Sequence, residues 1–483
     1  MTSIGVQVTT QVSSGPANPG TRSGRLHVAG LAARGPLGKA VMVESIAKFT
    51  AVFGDRTPAT SNLFDTARMF FEEGGSELVV SRVFGPAPTA GALTLKDSAD
   101  VNTVKVAAKD PGDYSAGFTV EVANSGSTFD VIIKRDGVTV TTYAGLVSPA
   151  DLVQRAATNP YVTVTSLGSV TAAPGDNPKV LAATPLSAGT DDRDAATVAD
   201  VIAALDAGSG AEGGAVGAPG YPATLIGSLL LDHAARTGKV ALLAMPVGAT
   251  KEEAIAAAAD LAADGNGQYG GIFYPSLIVP DGGGTRTISP EGYVAAVRAR
   301  AHEEEGFWRV PAGDVAVTRW VIGATEQIDT TANDMLADAL VNGIVTTGQR
   351  VRLYGWQSLA TDRENLGLLN ARDVLNNLTV EVKDVLEPFV FDTNDGKGQL
   401  RSYIDSAVTG VLDPIAKDGG FFARTNTAGD VLDPGYSVSV DTSLNPITAQ
   451  AENKVVVGIG VRLSPTAQLI QVEIIKVPLA GTV

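Results

Sequence analysis

The chain has 483 residues, enough for about three domains at roughly 100–200 residues each. Its 52 acidic against 36 basic residues, a net charge of −16, argue against sequence-independent nucleic-acid binding, which rests on neutralising phosphates. The lack of any cysteine excludes disulfides, thiolate metal sites and cysteine nucleophiles.

The first residues carry a strand pattern, Ile4, Val6 and Val8 alternating with Gly5, Gln7 and Thr9. A Gly/Pro-rich stretch over 13–20 follows and reads as a tether. Arg25–Ala32 reads as a buried strand and Val41–Ser45 as a short one, followed by a helix ending at Gly54. A second helix starts at Thr60 or Ser61, either of which can cap it. Leu63, Phe64, Ala67, Phe70 and Phe71 form its 3.6-spaced stripe, and Gly74-Gly75 stop it. Glu77–Phe84 reads as a strand.

Composition shifts at Pro86. Residues 91–189 are rich in strands and turns, with one helix near Pro149–Ala157 and a hairpin signal at Arg135-Asp136-Gly137. They read as an all-β insertion dividing an α/β domain of residues 24–90 and 190–310. From Ala195 the helix–strand alternation resumes. Gly208–Tyr221 reads as a loop, Lys239–Val247 and Gly270–Pro280 as buried strands, Lys251–Asp264 as a helix, and Pro290 as the start of another. In the C-terminal part, residues 311–468, a helix is expected over about Arg363–Glu387, stopped by Pro388. Another covers Gln399–Lys417, with Pro414 inside it as a potential kink. Tyr436–Val477 reads as three β segments. The last, with Leu469, Ile470, Val472, Ile474, Ile475 and Val477, belongs to a terminal arm of residues 469–483. The arms, residues 1–23 and 469–483, carry half-apolar strands that need neighbours. Either the protein's own sheet or another copy supplies them.

Residues that could carry chemistry form no constellation. The G-x-G-x-x-G at Gly265, Gly267 and Gly270 follows a helix and precedes a strand, the reverse of what a dinucleotide fingerprint needs. Asp281-Gly282-Gly283-Gly284-Thr285 lacks the lysine of a phosphate loop and reads as a flexible surface loop. Asp392, Asn394, Asp395 and Gly396 lack the spacing and closing glutamate of a calcium loop and read as a polar turn. His27, His233 and His302 have no second ligand at metal spacing, and Glu303–Glu305 reads as a solvated helix face. No cofactor is expected. The first residues lack the blocks of a signal peptide, and no apolar run reaches the ~18 residues that cross a bilayer. A soluble structural protein made in a cytoplasm is expected.

Several blocks, in order, resemble the tail sheath proteins of contractile bacteriophages and related injection machines. They are Gly5–Val8; F-F-E-E-G-G-S-E-L-V-V-S-R-V (Phe70–Val83), similar to "FF-x-NGG…VVRV"; and K-D-P-G-D-Y-S-A-G-F-T-V-E-V (Lys109–Val122), similar to "PG-x-WGN-x-L" with Tyr114 for tryptophan. The series continues with E-G-F-W-R-V-P-A-G (Glu305–Gly313), F-V-F-D-T-N-D (Phe389–Asp395), similar to "FVFEPND", and V-D-T-S-L-N-P (Val440–Pro446). The resemblance covers nearly the whole chain. It implies a mixed α/β multidomain fold, with the insertion outward and the C-terminal α+β domain facing an inner tail tube. The terminal strands would complete the C-terminal sheet of neighbouring subunits. It also implies hexameric rings of identical subunits stacked into a helical tube. Inner tube, baseplate and tail terminator proteins would be partners in a virion tail, and contraction would draw on energy stored in the extended lattice. Arg401 and Lys417 are the expected tube contacts. A headless bacteriocin-like particle is the alternative within this class. An α/β hydrolase-like enzyme with a β insertion, or an adhesin built on the insertion, is the alternative outside it.

Overall fold

The computed structural model describes residues 22–468 apart from 126, 209–212 and 348–349. Two compact units divide the chain. The first takes residues up to 304 and 311–373, the second 305–310 and the residues from 374 onward.

The first unit is a sheet domain interrupted by the insertion. Its elements begin with β1 (Leu26–Leu31), β2 (Ala40–Val43), α1 (Ile46–Phe53), α2 (Ser61–Glu72) and β3 (Leu78–Val83). The insertion holds β4 (Ala92–Lys96), β5 (Asn102–Ala108), β6 (Phe118–Asn124), β7 (Phe129–Arg135), β8 (Val138–Leu146), α3 (Pro149–Ala156), β9 (Val162–Ser166) and β10 (Leu181–Pro185). The sheet domain then resumes with α4 (Val198–Asp206), β11 (Ala215–Gly217), α5 (Ala223–Thr237), β12 (Val240–Ala244), α6 (Lys251–Ala262) and β13 (Gly270–Tyr274). It closes with β14 (Leu277–Asp281), β15 (Gly284–Ile288), α7 (Glu291–Glu304), β16 (Gly323–Ala324), α8 (Thr330–Asp338), β17 (Val341–Thr347), β18 (Arg350–Leu353) and α9 (Arg363–Leu366).

Eight strands pair in the order β18-β17-β13-β12-β11-β1-β3-β2. The inner pairs are parallel, and β2 and β18 cap the two edges antiparallel. Parallel strands covered on both faces need continuous apolar runs, and β1, β3, β12 and β13 are buried almost throughout. Ile226, Leu230 and Leu231 of α5 and Ala254, Ala257 and Ala258 of α6 belong to one of its cores. The mixed α/β class with an all-β insertion is the one expected, but several local readings change. Residues 208–221 are not all loop. Ala215–Gly217 is a three-residue strand in mid-sheet, entered through Gly214, where an added Cβ would come within 2.5 Å of the Arg25 carbonyl oxygen. The helix α5 was not anticipated. Gly270–Pro280 is two strands rather than one. Pro275 lacks an N–H for the ladder, and β14 leaves for a small sheet ordered β15-β14-β16. The Asp281–Thr285 loop is the tight Gly282-Gly283 turn of the β14–β15 hairpin, with φ of +54° and +110°. The helix α2 begins where expected, but neither Thr60 nor Ser61 caps it with its side chain. Thr60 instead bonds back to Thr57, and the Ser61 hydroxyl donates to the Pro58 carbonyl. Because β17 pairs with β13, the sheet extends past the boundary expected at residue 310.

The insertion folds as two sheets, β10-β6-β7-β8 and β4-β5-β9. Alternate residues of β6 and β7 point inward, so Phe118, Val120, Val122, Phe129, Val131 and Ile133 share one core. Asp136 and Gly137 both have positive φ, +50° and +82°, as a two-residue I′ turn requires. Arg82, fully buried, ties the insertion to its host. It pairs with Asp191 at 2.8 Å and donates to the carbonyls of Pro111 (2.8 Å) and Gly35 (3.1 Å). Arg193 holds the other oxygen of the same carboxylate at 2.7 Å.

The second unit contains α10 (Leu369–Leu386) from Val374 onward, α11 (Gln399–Lys417), β19 (Arg424–Thr425), β20 (Val431–Asp433), β21 (Tyr436–Ser439), α12 (Ile447–Ala451) and β22 (Gly458–Val461). The single helix expected over Arg363–Glu387 is two helices. The chain turns at Gly367-Leu368, where Leu368 bridges Gln357 and a Cβ on Gly367 would lie 2.4 Å from the Arg363 carbonyl oxygen. Pro414 sits in the last turn of α11.

Candidate assembly surfaces

The second unit is built on α11. Leu400, Ile404, Val408, Leu412 and Ile415 repeat at helical spacing and bury one stripe. Val408, Leu412 and Ile415 pack with Phe307, Val374, Leu378 and Phe421, and Leu400 and Ile404 pack with Val440. Tyr436 and Val438 of β21 lean on these clusters, and the Tyr436 hydroxyl donates to Asp413 at 2.5 Å. The strand β21 pairs antiparallel with β22, Tyr436 opposite Val461 and Val438 opposite Ile459. Among the described residues these two strands form a sheet by themselves, so each has an edge without a ladder partner. A two-stranded ribbon is marginal in water unless more strands or a packed helix support it.

The connection between the two strands is fixed by Asn445, which is buried. Its amide donates to the carbonyls of Asp441 (3.1 Å) and Val456 (2.8 Å), and its oxygen accepts the Val456 N–H at 2.7 Å. The Ser443 hydroxyl and the backbone N–H groups that follow hold the Asp441 carboxyl below the usual range.

The residues expected to exchange strands, Ile4, Val6, Val8, Leu469, Ile470, Val472, Ile474, Ile475 and Val477, lie outside the described residues. The expected tube contacts both lie on α11, but not together. Sixteen residues separate Arg401 from Lys417, which sets them about 160° apart around the helix and roughly 24 Å apart along it. Arg401 is half-buried, and its charge acts on Asp441. Lys417 is exposed and 3.6 Å from Asp413.

The remaining candidate residues do structural work. His27, His233 and His302 are all buried. Gly267 and Gly270 allow close packing, since added Cβ atoms would meet the Leu359 carbonyl oxygen at 2.4 Å and the Leu231 side chain at 2.6 Å. The Asp395 carboxylate accepts N–H groups of Lys397 (3.3 Å) and Gln399 (2.8 Å) at the start of α11. Glu303 and Glu304 are exposed at the end of α7. No group of three or more His, Asp or Glu is placed to hold a metal, and no helix is long and apolar enough to cross a membrane, among the described residues. Sequence reasoning missed Glu73. Fully buried, it accepts the backbone N–H groups of Arg319 (2.9 Å), Trp320 (2.8 Å) and Val321 (2.9 Å) with its two oxygens. The only signal was its place where the resembling motif has asparagine, a side chain with one acceptor oxygen instead of two.

No family model and no curated protein matches the sequence. Solved structures do share the fold. The chain is similar to the sheath tail protein from Listeria innocua, at 16% identity over 87% of this chain and 89% of that one, TM-score 0.62. It is similar to the sheath tail protein from Desulfitobacterium hafniense, at 14% identity over 91% and 94%, TM-score 0.60. The anti-feeding prophage helical sheath in its contracted state matches over 99% of this chain and 100% of that one, at 14% identity and TM-score 0.57. The fold is therefore that of contractile sheath proteins.

Proposed function

We propose that the chain is the subunit of a contractile sheath, which polymerises around an inner tube and shortens to drive that tube through a cell envelope. The observation that carries this reading is the likeness of nearly the whole chain, insertion and C-terminal unit included, to sheath structures. The β21–β22 sheet supports it from within, because among the described residues it has unpaired edges, in a chain whose two ends are patterned as strands. In this reading Ile4–Val8 and Leu469–Val477 add to the β21–β22 sheets of neighbouring copies by β-augmentation. A joint of ~4–5 main-chain bonds at ~1 kcal/mol each is opposed by ~1–2 kcal/mol per residue ordered, so one joint is marginal. Several joints per subunit act together through effective concentration. Free subunits then stay dispersed until a template or high concentration starts assembly. Partners are further copies, an inner tube protein, which α11 would meet through Arg401 or Lys417, and the baseplate and terminator at the ends. The sheath would form part of a tail.

An adhesin built on the insertion is the reading to test against. Thr89 and Thr190 already bridge across its base, so removing residues 91–189 leaves two ends side by side. Tubes formed by the deleted protein are the expected outcome, by electron microscopy. A deletion that stays folded by circular dichroism yet never assembles would count against a sheath built from the remaining domains.

A further inference from the structure

Phe391 is the most exposed large apolar side chain among the described residues, at 103% of its reference area. It is also held in a left-handed backbone conformation, φ +71°, that a bulky L residue rarely adopts. The segment around it is tied down. Val390 N–H bonds to the Glu387 carbonyl, Asp392 N–H to the Phe389 carbonyl and Gly398 N–H to the Asp395 carbonyl. Phe389 turns into the core beside Leu400 and Ile404, while Val390 and Phe391 turn out. An apolar ring presented on a fixed loop has the character of a binding anchor. The exposed carboxylate of Asp392 stands next to it and makes no ion pair among the described residues.

The first unit carries a cleft of matching chemistry. An open cleft of about 430 Å³ lies by the edge strand β2, lined by Arg25, Lys39, Met42, Val79 and Gly208. Met42 is 41% exposed there, and a thioether packs well against an aromatic ring. Lys39 is exposed, with no ion-pair partner among the described residues, whereas Arg25 is engaged by Glu77 at 2.7 Å. The chemistry of an apolar knob flanked by Glu387 and Asp392 thus complements that of a cleft that presents Met42 beside the Lys39 ammonium.

We propose that Phe391 of one copy seats in the Met42 cleft of a second copy, with Asp392 pairing with Lys39. Knob and cleft are different surfaces, so the contact is heterologous. Repeated, it builds rings or filaments rather than closed two-fold dimers. The inference rests on the self-assembling reading and adds to it a contact made by side chains rather than by exchanged strands.

The cysteine-free chain makes the test clean. Phe391→Cys and Met42→Cys are combined in one chain, assembled, and treated with a short bis-maleimide, which spans separations too wide for a disulfide. Expected is a ladder of covalent oligomers larger than dimers, absent from each single variant. Phe391→Ser is expected to raise the concentration needed for assembly about tenfold, equivalent to about 1.4 kcal/mol. Asp392→Lys and Lys39→Glu should each weaken assembly, and together restore it. Tubes that form normally but give no ladder would overturn the contact and leave the sheath reading standing. Crosslinking of Phe391→Cys to a co-assembled inner tube protein instead would also overturn it, by assigning the anchor to the tube. Failure of the unsubstituted chain to assemble at any concentration would remove both.

Discussion

Replacing Arg298 with methionine is expected to destabilise the first unit by about 3–5 kcal/mol. The helix α7 carries no apolar stripe, yet is buried almost all round, and Arg298 lies inside it. Its guanidinium holds Asp373 at 3.0 Å through Nε and 2.5 Å through Nη2, and Nη1 donates to the Ser23 carbonyl. Asp373 has no solvent exposure. Burial pushes its carboxyl up, so a carboxylate stripped of its partner gains a proton rather than stay charged, which limits the loss. Exchanging both partners, Arg298→Met with Asp373→Leu, should recover most of the stability, because an apolar pair of similar volume avoids burying any charge. The measurement is the urea midpoint of each variant. Single and double variants falling equally would contradict the account of the pair.

Through two buried histidines, lowering the pH from about 7.5 to about 5.5 is expected to cost the first unit up to about 3 kcal/mol per pH unit below 6.5, a loss that carboxyls pushed up by burial, Glu291 and Asp373, oppose. Burial, and then the charges of Lys239, Arg25 and His233, hold His27 well below its ordinary 6.5. Burial and Arg298 do the same for His302, which also lies 3.8 Å from Asp373. His233 is lowered less decisively, since Asp206 at 2.8 Å opposes the burial and the charges of Lys239 and Arg236. The sign follows from which state takes the proton. Below 6.5 the unfolded chain protonates these imidazoles while the folded core does not, so stability falls with pH. Each such histidine contributes about 1.4 kcal/mol per pH unit until its folded value is reached. Glutamine at 27 and 302 should flatten the profile, and an unchanged slope in that variant would contradict the assignment.

Elements with one buried face were legible. The stripe of α2, the alternation of β6 and β7 and the stripe of α11 each announce a period that packing then uses. Elements buried on all sides, or too short to show a period, were not. The strand β11 is only three residues, Ala-Val-Gly, inside a Gly/Ala/Pro-rich stretch whose composition is that of a loop, and its place in mid-sheet is decided by neighbours far along the chain. The break at Gly367 is hidden because Leu366 and Leu369 continue an apolar spacing across it. At the candidate assembly surface, the Tyr436–Ser439 strand was readable, whereas the arms lie outside the described residues. The alternation F-V-F at 389–391 does not say which phenylalanine points outward, and the choice follows from the left-handed turn at Phe391. The buried role of Glu73 depends on backbone donors almost 250 residues away.

The most direct test is electron microscopy of the concentrated protein beside two truncations, one lacking residues 1–12 and one lacking residues 469–483. Hollow tubes from the full chain, and none from either truncation, are the predicted result. Discrete particles from the full chain under every condition, or tubes undiminished in both truncations, would contradict a sheath joined through its terminal strands.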